Sequence, residues 1–190
     1  GGTFFGPSCS SNFLENDGSA PTMEAAKGKA SARSRVTVVF ILADCETTSL
    51  EVPRVLEIAA SAFYGDEFTS EFAAPKYRFC ALVDPRLGPE PLHAIPANPV
   101  HNIDGRLLDL HGAEPFSVVW GRFRNWLARA CFAAAASQAT KCNRAVAVLT
   151  FHNAPFDIGA LSHELRILGV QGTAAQDLTS VGVVAVFDTL

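Results

Sequence analysis

The stretch from Val36 to Ala43, apolar at every position but Thr37 and closed by Asp44-Cys45-Glu46, constrains this chain more than any other. A bilayer-spanning helix needs about 20 apolar residues, so a run this short does not cross a membrane. Its β-branched side chains read as a strand buried on both faces, at the centre of a sheet rather than its edge. Where that strand ends, Asp44 and Glu46 stand two residues apart, and the period of two points both carboxylates to the same side. Like charges so placed repel. A divalent cation with a preference for hard oxygen ligands, magnesium or manganese, would hold both ionised. The alternative at this point is a pair of solvated acids at a strand-to-loop junction.

The rest of the composition narrows the setting. A chain of 190 residues suits one domain with a real core, and 48% hydrophobic with 18% charged residues is a globular balance. The formal charge of -4 speaks against a broad basic clamp on duplex nucleic acid, while leaving room for a site that grips one strand end. The five cysteines form no C-x-x-C pair, so neither a zinc knuckle nor a redox motif is visible, and reduced thiols in an intracellular compartment are the simplest account. No membrane partner is indicated. The chain opens on Gly1-Gly2 and closes on Val183 to Leu190, a strand running into a turn, so a fragment of a longer protein is expected.

Along the chain, residues 1–35 mix Gly, Ser, Asn, Ala and Lys without a sustained apolar period and read as a disordered arm or linker, leaving 36–190 as the folded domain. Residues 54–64 predict a second strand, and residues 68–83 a third, interrupted near Pro75; the short turn at Tyr64-Gly65-Asp66-Glu67 favours antiparallel pairing. The proline-rich stretch from Asp84 to Pro99 can only be irregular. From Phe116 the period changes: Phe116, Val119, Trp120, Phe123, Trp126 or Leu127, and Ala130 mark an amphipathic helix running into Ala133 to Ala136. Arg122, Arg124, Asn125 and Arg129 form its other side, read as a wet face rather than a nucleic-acid patch. Ala145 to Phe151 predicts an interior strand, Pro155 opens a helix that Gly169 stops, and residues 183–187 form a last strand. The expected architecture is a mixed α/β sheet of five strands, three antiparallel and then parallel, with flanking helices. Catalytic groups in such sheets gather where the chain leaves the strands.

At the end of the fourth strand stands His152-Asn153-Ala154-Pro155-Phe156-Asp157, which places Asp157 in the first turn of a helix, a position that favours a carboxylate. Alone, this is ordinary capping chemistry. Together with Asp44-x-Glu46 it resembles the DEDD, or DnaQ-like, superfamily of 3′–5′ exonucleases, whose first motif is Asp-x-Glu and whose second is commonly His-Asn-x-x-Phe-Asp. Asp44-Cys45-Glu46-Thr47-Thr48-Ser49-Leu50 with Leu56-Glu57-Ile58-Ala59-Ala60 is similar to the family's D-x-E-T-T-G and the following strand. Val100-His101-Asn102-Ile103 is similar to the V-H-G-I segment of the proofreading epsilon-subunit type, and Phe187-Asp188-Thr189-Leu190 continues the likeness.

The resemblance covers roughly residues 36–190 and implies a ribonuclease H-like fold. It also implies a metal-dependent exonuclease removing nucleotides from single-stranded 3′ ends, DNA ahead of RNA, with a DNA polymerase as a candidate partner. By the same resemblance Asp44, Glu46 and Asp157 would hold two Mg2+ or Mn2+ ions. Thr47, Thr48 and Leu50 would meet the terminal nucleotide, Leu50 as a wedge under its base. His101 and Asn153 would contact substrate or support loops, and His152 is read as structural. The sequence departs from the pattern in three places. Ser49 and Asn102 replace motif glycines, and after Asp157 there is neither a His-x-x-x-x-Asp nor a Tyr-x-x-x-Asp to supply the fourth acid and the general base, as expected if the chain stops before that motif. A catalytically incompetent, exonuclease-derived binding or scaffolding module is the alternative.

Overall fold

The computed structural model describes residues 36–64, 75–86, 95–96, 100–137 and 144–189. The N-terminal arm expected over 1–35, the first part of the third predicted strand and most of the proline-rich connection lie outside these residues. Strand β1 (Val36–Thr47) is central, flanked by antiparallel β2 (Val55–Tyr64) and parallel β5 (Arg144–Phe151). β3 (Tyr77–Asp84) lies antiparallel beyond β2, and β6 (Val183–Asp188) parallel beyond β5. A two-residue strand, β4 (Glu114–Pro115), pairs with Val83 and Asp84, giving a six-stranded sheet in the order β4-β3-β2-β1-β5-β6. The five expected strands are present in the expected directions. The sixth is too short to leave a hydrophobic period in the sequence. Three antiparallel strands continued by two parallel ones, with helices packed on the sheet, make this a ribonuclease H-like α/β fold.

The helices are α1 (Gly105–Leu110), α2 (Phe116–Ser137), α3 (Ala154–Ile167) and α4 (Ala174–Thr179). One face of the sheet forms the core: Val39, Ile41, Ala43 and Cys45 of β1, Ile58, Ala60 and Ala62 of β2, and Ala147, Leu149 and Phe151 of β5 pack with Phe123 and Leu127 of α2 and Leu161 of α3. Phe123 meets Phe79 of β3 with ring centroids 5.3 Å apart, and deleting so buried a ring costs about 3–5 kcal/mol. Helix α3 ends as its Gly169 requires: with φ at +79°, Gly169 donates to Arg166 and Val170 to Leu165, closing a Schellman motif.

The expectation of two-sided burial for β1 is overturned. Its burial alternates strictly, and Val36, Val38 and Leu42 are 47%, 37% and 46% exposed. An unbroken apolar run satisfies one-sided as well as two-sided burial, so the run could not reveal that α2 and α3 sit on the same face. On the opposite face, among the described residues, Leu107 and Leu108 of α1 give cover near the strand's end by packing with Leu56, Leu82 and Ile103.

Two helices also escaped the sequence reading. Helix α1 is too short for periodicity, although Asp104 caps it by accepting from Leu107 N–H at 2.8 Å. Helix α4 did carry a signal, the capping box Thr173-x-x-Gln176, in which each side chain satisfies the other residue's backbone N–H.

Candidate active site at the end of the central strand

β1 outruns its parallel neighbour. Its pairing with β5 ends at Ala43 opposite Phe151, whereas β1 continues to Thr47 on the β2 side. The segment from Asp44 to Thr47 therefore presents backbone groups towards a place that no strand fills. After β5 the chain turns at His152-Asn153 and enters α3, and its first turn brings Asp157 into that place. Asp157 is 3% exposed, and the backbone N–H groups of Asn153 and Cys45 are near enough to favour its charged form. Asp157 therefore lies beside Cys45, the residue between Asp44 and Glu46.

The electrostatics follow from this placement. Burial, and next the charge of Asp44, push the Asp157 carboxyl up to about 6, with the two backbone donors opposing and Glu46 adding a smaller rise. Glu46 is raised by burial, countered by His101, with further rises from Asp44 and Glu57. The Cys45 thiol is pushed well above its ordinary value by burial and then by Asp157, so it is an inert core thiol. Burial and like charge both disfavour the ionised carboxylates here, and three hard oxygen donors with surplus negative charge fit a divalent ion in chemistry. Among the described residues no three His, Cys, Asp or Glu side chains stand in a group that could hold a metal ion.

Glu57 is a fourth carboxylate that the sequence reading left inside a strand pattern. It stands directly opposite Glu46 in the β1–β2 register and accepts the Cys80 thiol at 2.8 Å. That bond, then burial, raises Cys80 to about 11. Register decides this neighbourhood, and no local pattern could have predicted it.

The remaining residues divide by what they touch. Thr47 is buried; its hydroxyl donates to the Ser49 carbonyl at 3.2 Å, and its own carbonyl lies 3.1 Å from His101 Nε2. Because Ile103 N–H donates to His101 Nδ1 at 3.1 Å, Nε2 carries the ring proton, and His101 braces the end of β1 against the loop before α1. Asn102 takes a φ of 58°, the left-handed geometry for which Asn is the best non-glycine choice. Thr48 closes the next loop: Thr48 N–H donates to the Arg54 carbonyl at 2.9 Å, and Arg54 N–H donates to the Thr48 hydroxyl at 3.1 Å. At the tip of that loop Leu50 is 81% exposed. Asn153 holds the N-cap position of α3 without a side-chain capping bond, so its exposed amide stays available. His152, read as structural, is exposed instead. Asp188 caps the same helix, accepting from Ala154 N–H at 3.4 Å, while Thr189 N–H donates to the Phe151 carbonyl at 3.0 Å.

Among the solved structures to which this chain is similar are nucleases. The nuclease domain of 3′hExo, described as a DEDDh family member bound to rAMP, aligns at 13% identity and a TM-score of 0.45, over 70% of this chain and 60% of that one. A full-length 3′-exonuclease aligns at 13% identity and a TM-score of 0.45, over 72% and 56%. Cell-death related nuclease 4 aligns at 16% identity and a TM-score of 0.39, over 70% and 41%. The chain thus spans 60% or less of the length of each. No family model and no curated protein matches the sequence. No helix among the described residues is long and apolar enough to cross a membrane.

Proposed function

We propose that this chain carries the acidic site of a metal-dependent 3′–5′ exonuclease acting on single-stranded nucleic acid, DNA in preference to RNA. The observation that supports it best is the burial of Asp157 beside Cys45, close enough to Asp44 and Glu46 for their charges to act on it. Asp44, Glu46 and Asp157 are the residues that would hold Mg2+ or Mn2+. Divalent ions at such a site supply a nucleophilic water at neutral pH and charge stabilisation for the leaving oxygen. The chain's own residues do the positioning. Thr47 and Thr48 fix the backbone beside the acids, Leu50 offers an apolar wedge for a terminal base, and the Asn153 amide is free to bond to a nucleotide. His101 acts as a brace on this loop, one step removed from substrate. Reduced Cys45, Cys80 and Cys131 fit an intracellular setting, and a polymerase is the proposed partner.

The second reading, a binding or scaffolding module without turnover, draws on the observation that the carboxylates do not gather into an ion-holding group. The two are separated by titrating Mn2+ or Mg2+ against 5′-labelled single strands of DNA and RNA. A ladder growing from the 3′ end, lost in Asp44→Asn, supports the enzyme, and the faster strand identifies the substrate. Binding without cleavage at saturating metal supports the module. Cleavage that survives in Asp44→Asn refutes the site.

A further inference from the structure

The three arginines of α2 do not share one environment. Arg124 turns towards α4, with Nη2 bonded to the Ser180 hydroxyl at 2.9 Å and Nε 3.3 Å from the Asp177 carboxylate. Arg122 and Arg129 instead meet Arg78 of β3 around a cleft of about 470 Å3, which Tyr77, Asn125 and Trp126 also line. Among the described residues the only carboxylate paired with these three guanidinium groups is Glu114, on Arg122. Two exposed positive charges, Arg78 and Arg129, therefore pair with no carboxylate among the described residues, in a chain whose formal charge is -4. Clustering like charges costs free energy unless an anion completes the site.

The cleft is also aromatic. Tyr77 stacks on Tyr64 with centroids 6.4 Å apart, and Trp126 lies 5.9 Å from both Phe79 and Phe123. Guanidinium groups interleaved with aromatic rings and an amide match a single nucleic-acid strand, whose phosphates take the charge and whose bases take the ring faces.

The cleft is joined to the acidic site. Arg78 and Phe79 also line an open trough of about 380 Å3 on the sheet face opposite α2, which crosses over Ala59 and Ser61 and reaches Asp44, so cleft and trough meet around β3 at Arg78. Asp44 faces Ala59 on β2, and Ala59 faces Cys80 on β3, so the cleft begins two strands away, roughly 10 Å from Asp44. We infer that the cleft of Arg78, Arg122 and Arg129 is a second nucleic-acid contact, holding the sugar-phosphate backbone of a strand whose end lies at Asp44. The direction of that strand rests on the proposed exonuclease reading; the cleft's affinity for a single strand does not.

The test is anisotropy of a labelled oligothymidylate about 12–16 nucleotides long, titrated in EDTA so that cleavage plays no part. Arg78→Glu and Arg129→Glu, both at exposed positions, are each expected to weaken binding about tenfold near 50 mM salt. Each is also expected to lower the slope of log affinity on log salt by about 0.7, one phosphate contact on a single strand. Arg166→Glu, an equal charge change at the last turn of α3, is expected to stay within about twofold of wild type. Oligothymidylate should change the tryptophan emission of the wild type, and Trp126→Phe should abolish that change while Trp120 remains. Equal weakening in all three arginine variants, which would be a net-charge effect, overturns the inference, as does unchanged binding in all of them or no binding by the wild type. Saturation of the emission change by inorganic phosphate alone overturns the strand assignment. Asp44→Asn separates the two proposals, because loss of cleavage with retained binding leaves the cleft standing whatever becomes of the acidic site.

Discussion

Glu164 is the most demanding buried charge in the described part of the chain. Its side chain is 2% exposed and accepts three hydrogen bonds: from Arg54 Nε at 2.7 Å, Arg54 Nη2 at 3.1 Å and Val55 N–H at 3.0 Å. The pair ties the helix that carries Asp157 to the strand that follows the Thr48 loop, so it sets the spacing of the two halves of the candidate site. Arg54→Met removes two of the three donors and leaves a carboxylate in the interior with one amide. Breaking a buried pair from one side costs about 3–5 kcal/mol, whereas replacing both partners by apolar groups of similar volume is close to neutral. Arg54→Met is therefore expected to lose about 3–5 kcal/mol, or roughly 6–20 °C in Tm for a domain of this size. Glu164→Met should lose less, about 1–3 kcal/mol, because Arg54 is 16% exposed and can turn to water. The double variant should return to within about 2 kcal/mol of wild type, a coupling of at least about 2 kcal/mol. Urea unfolding near neutral pH, followed by circular dichroism, measures all four corners of the cycle. Single losses that add to within about 0.5 kcal/mol would show that the pair is not coupled.

Three further outcomes are expected. Asp157, held at about 6 when folded against about 3.9 unfolded, keeps its proton longer in the native state. Its contribution is therefore present in acid and is lost as pH rises from about 4 through about 6, by an amount of order 3 kcal/mol. Asp157→Asn should flatten that part of the stability–pH curve, and parallel curves for variant and wild type would contradict the shift. Mn2+ affinity should run the other way, rising as Asp157 loses its proton. Leu50→Ala should leave stability within about 0.5 kcal/mol, since the side chain is 81% exposed, yet raise KM for single strands; an unchanged KM would remove Leu50 from the substrate site. Glu57→Gln should lower the Cys80 thiol from about 11 towards its ordinary value and speed its alkylation by iodoacetamide near pH 8.5 by roughly tenfold or more, and an unchanged rate would contradict the thiol–carboxylate bond.

Much of this protein follows from local pattern. The short apolar runs at Val36 to Ala43 and Ala145 to Phe151 and the helical period from Phe116 to Ala134 fix two strands and a helix, because burying an apolar face is a nearest-neighbour demand that each segment makes alone. Pro155 and Gly169 bound α3 for equally local reasons, a preset φ at one end and a left-handed turn at the other. The spacing of Asp44 and Glu46 and the placement of Asp157 in a first turn are likewise written in the chain. Tertiary structure alone decides what these segments meet. It covers one face of β1 and leaves Val36, Val38 and Leu42 open on the other, sets Glu57 beside Glu46 through register, and buries Glu164 against Arg54. It also divides the arginines of α2, turning Arg124 to Asp177 while gathering Arg122 and Arg129 with Arg78. Each of these depends on residues far apart in sequence brought together by the order of strands in a sheet, and no window along the chain contains that order.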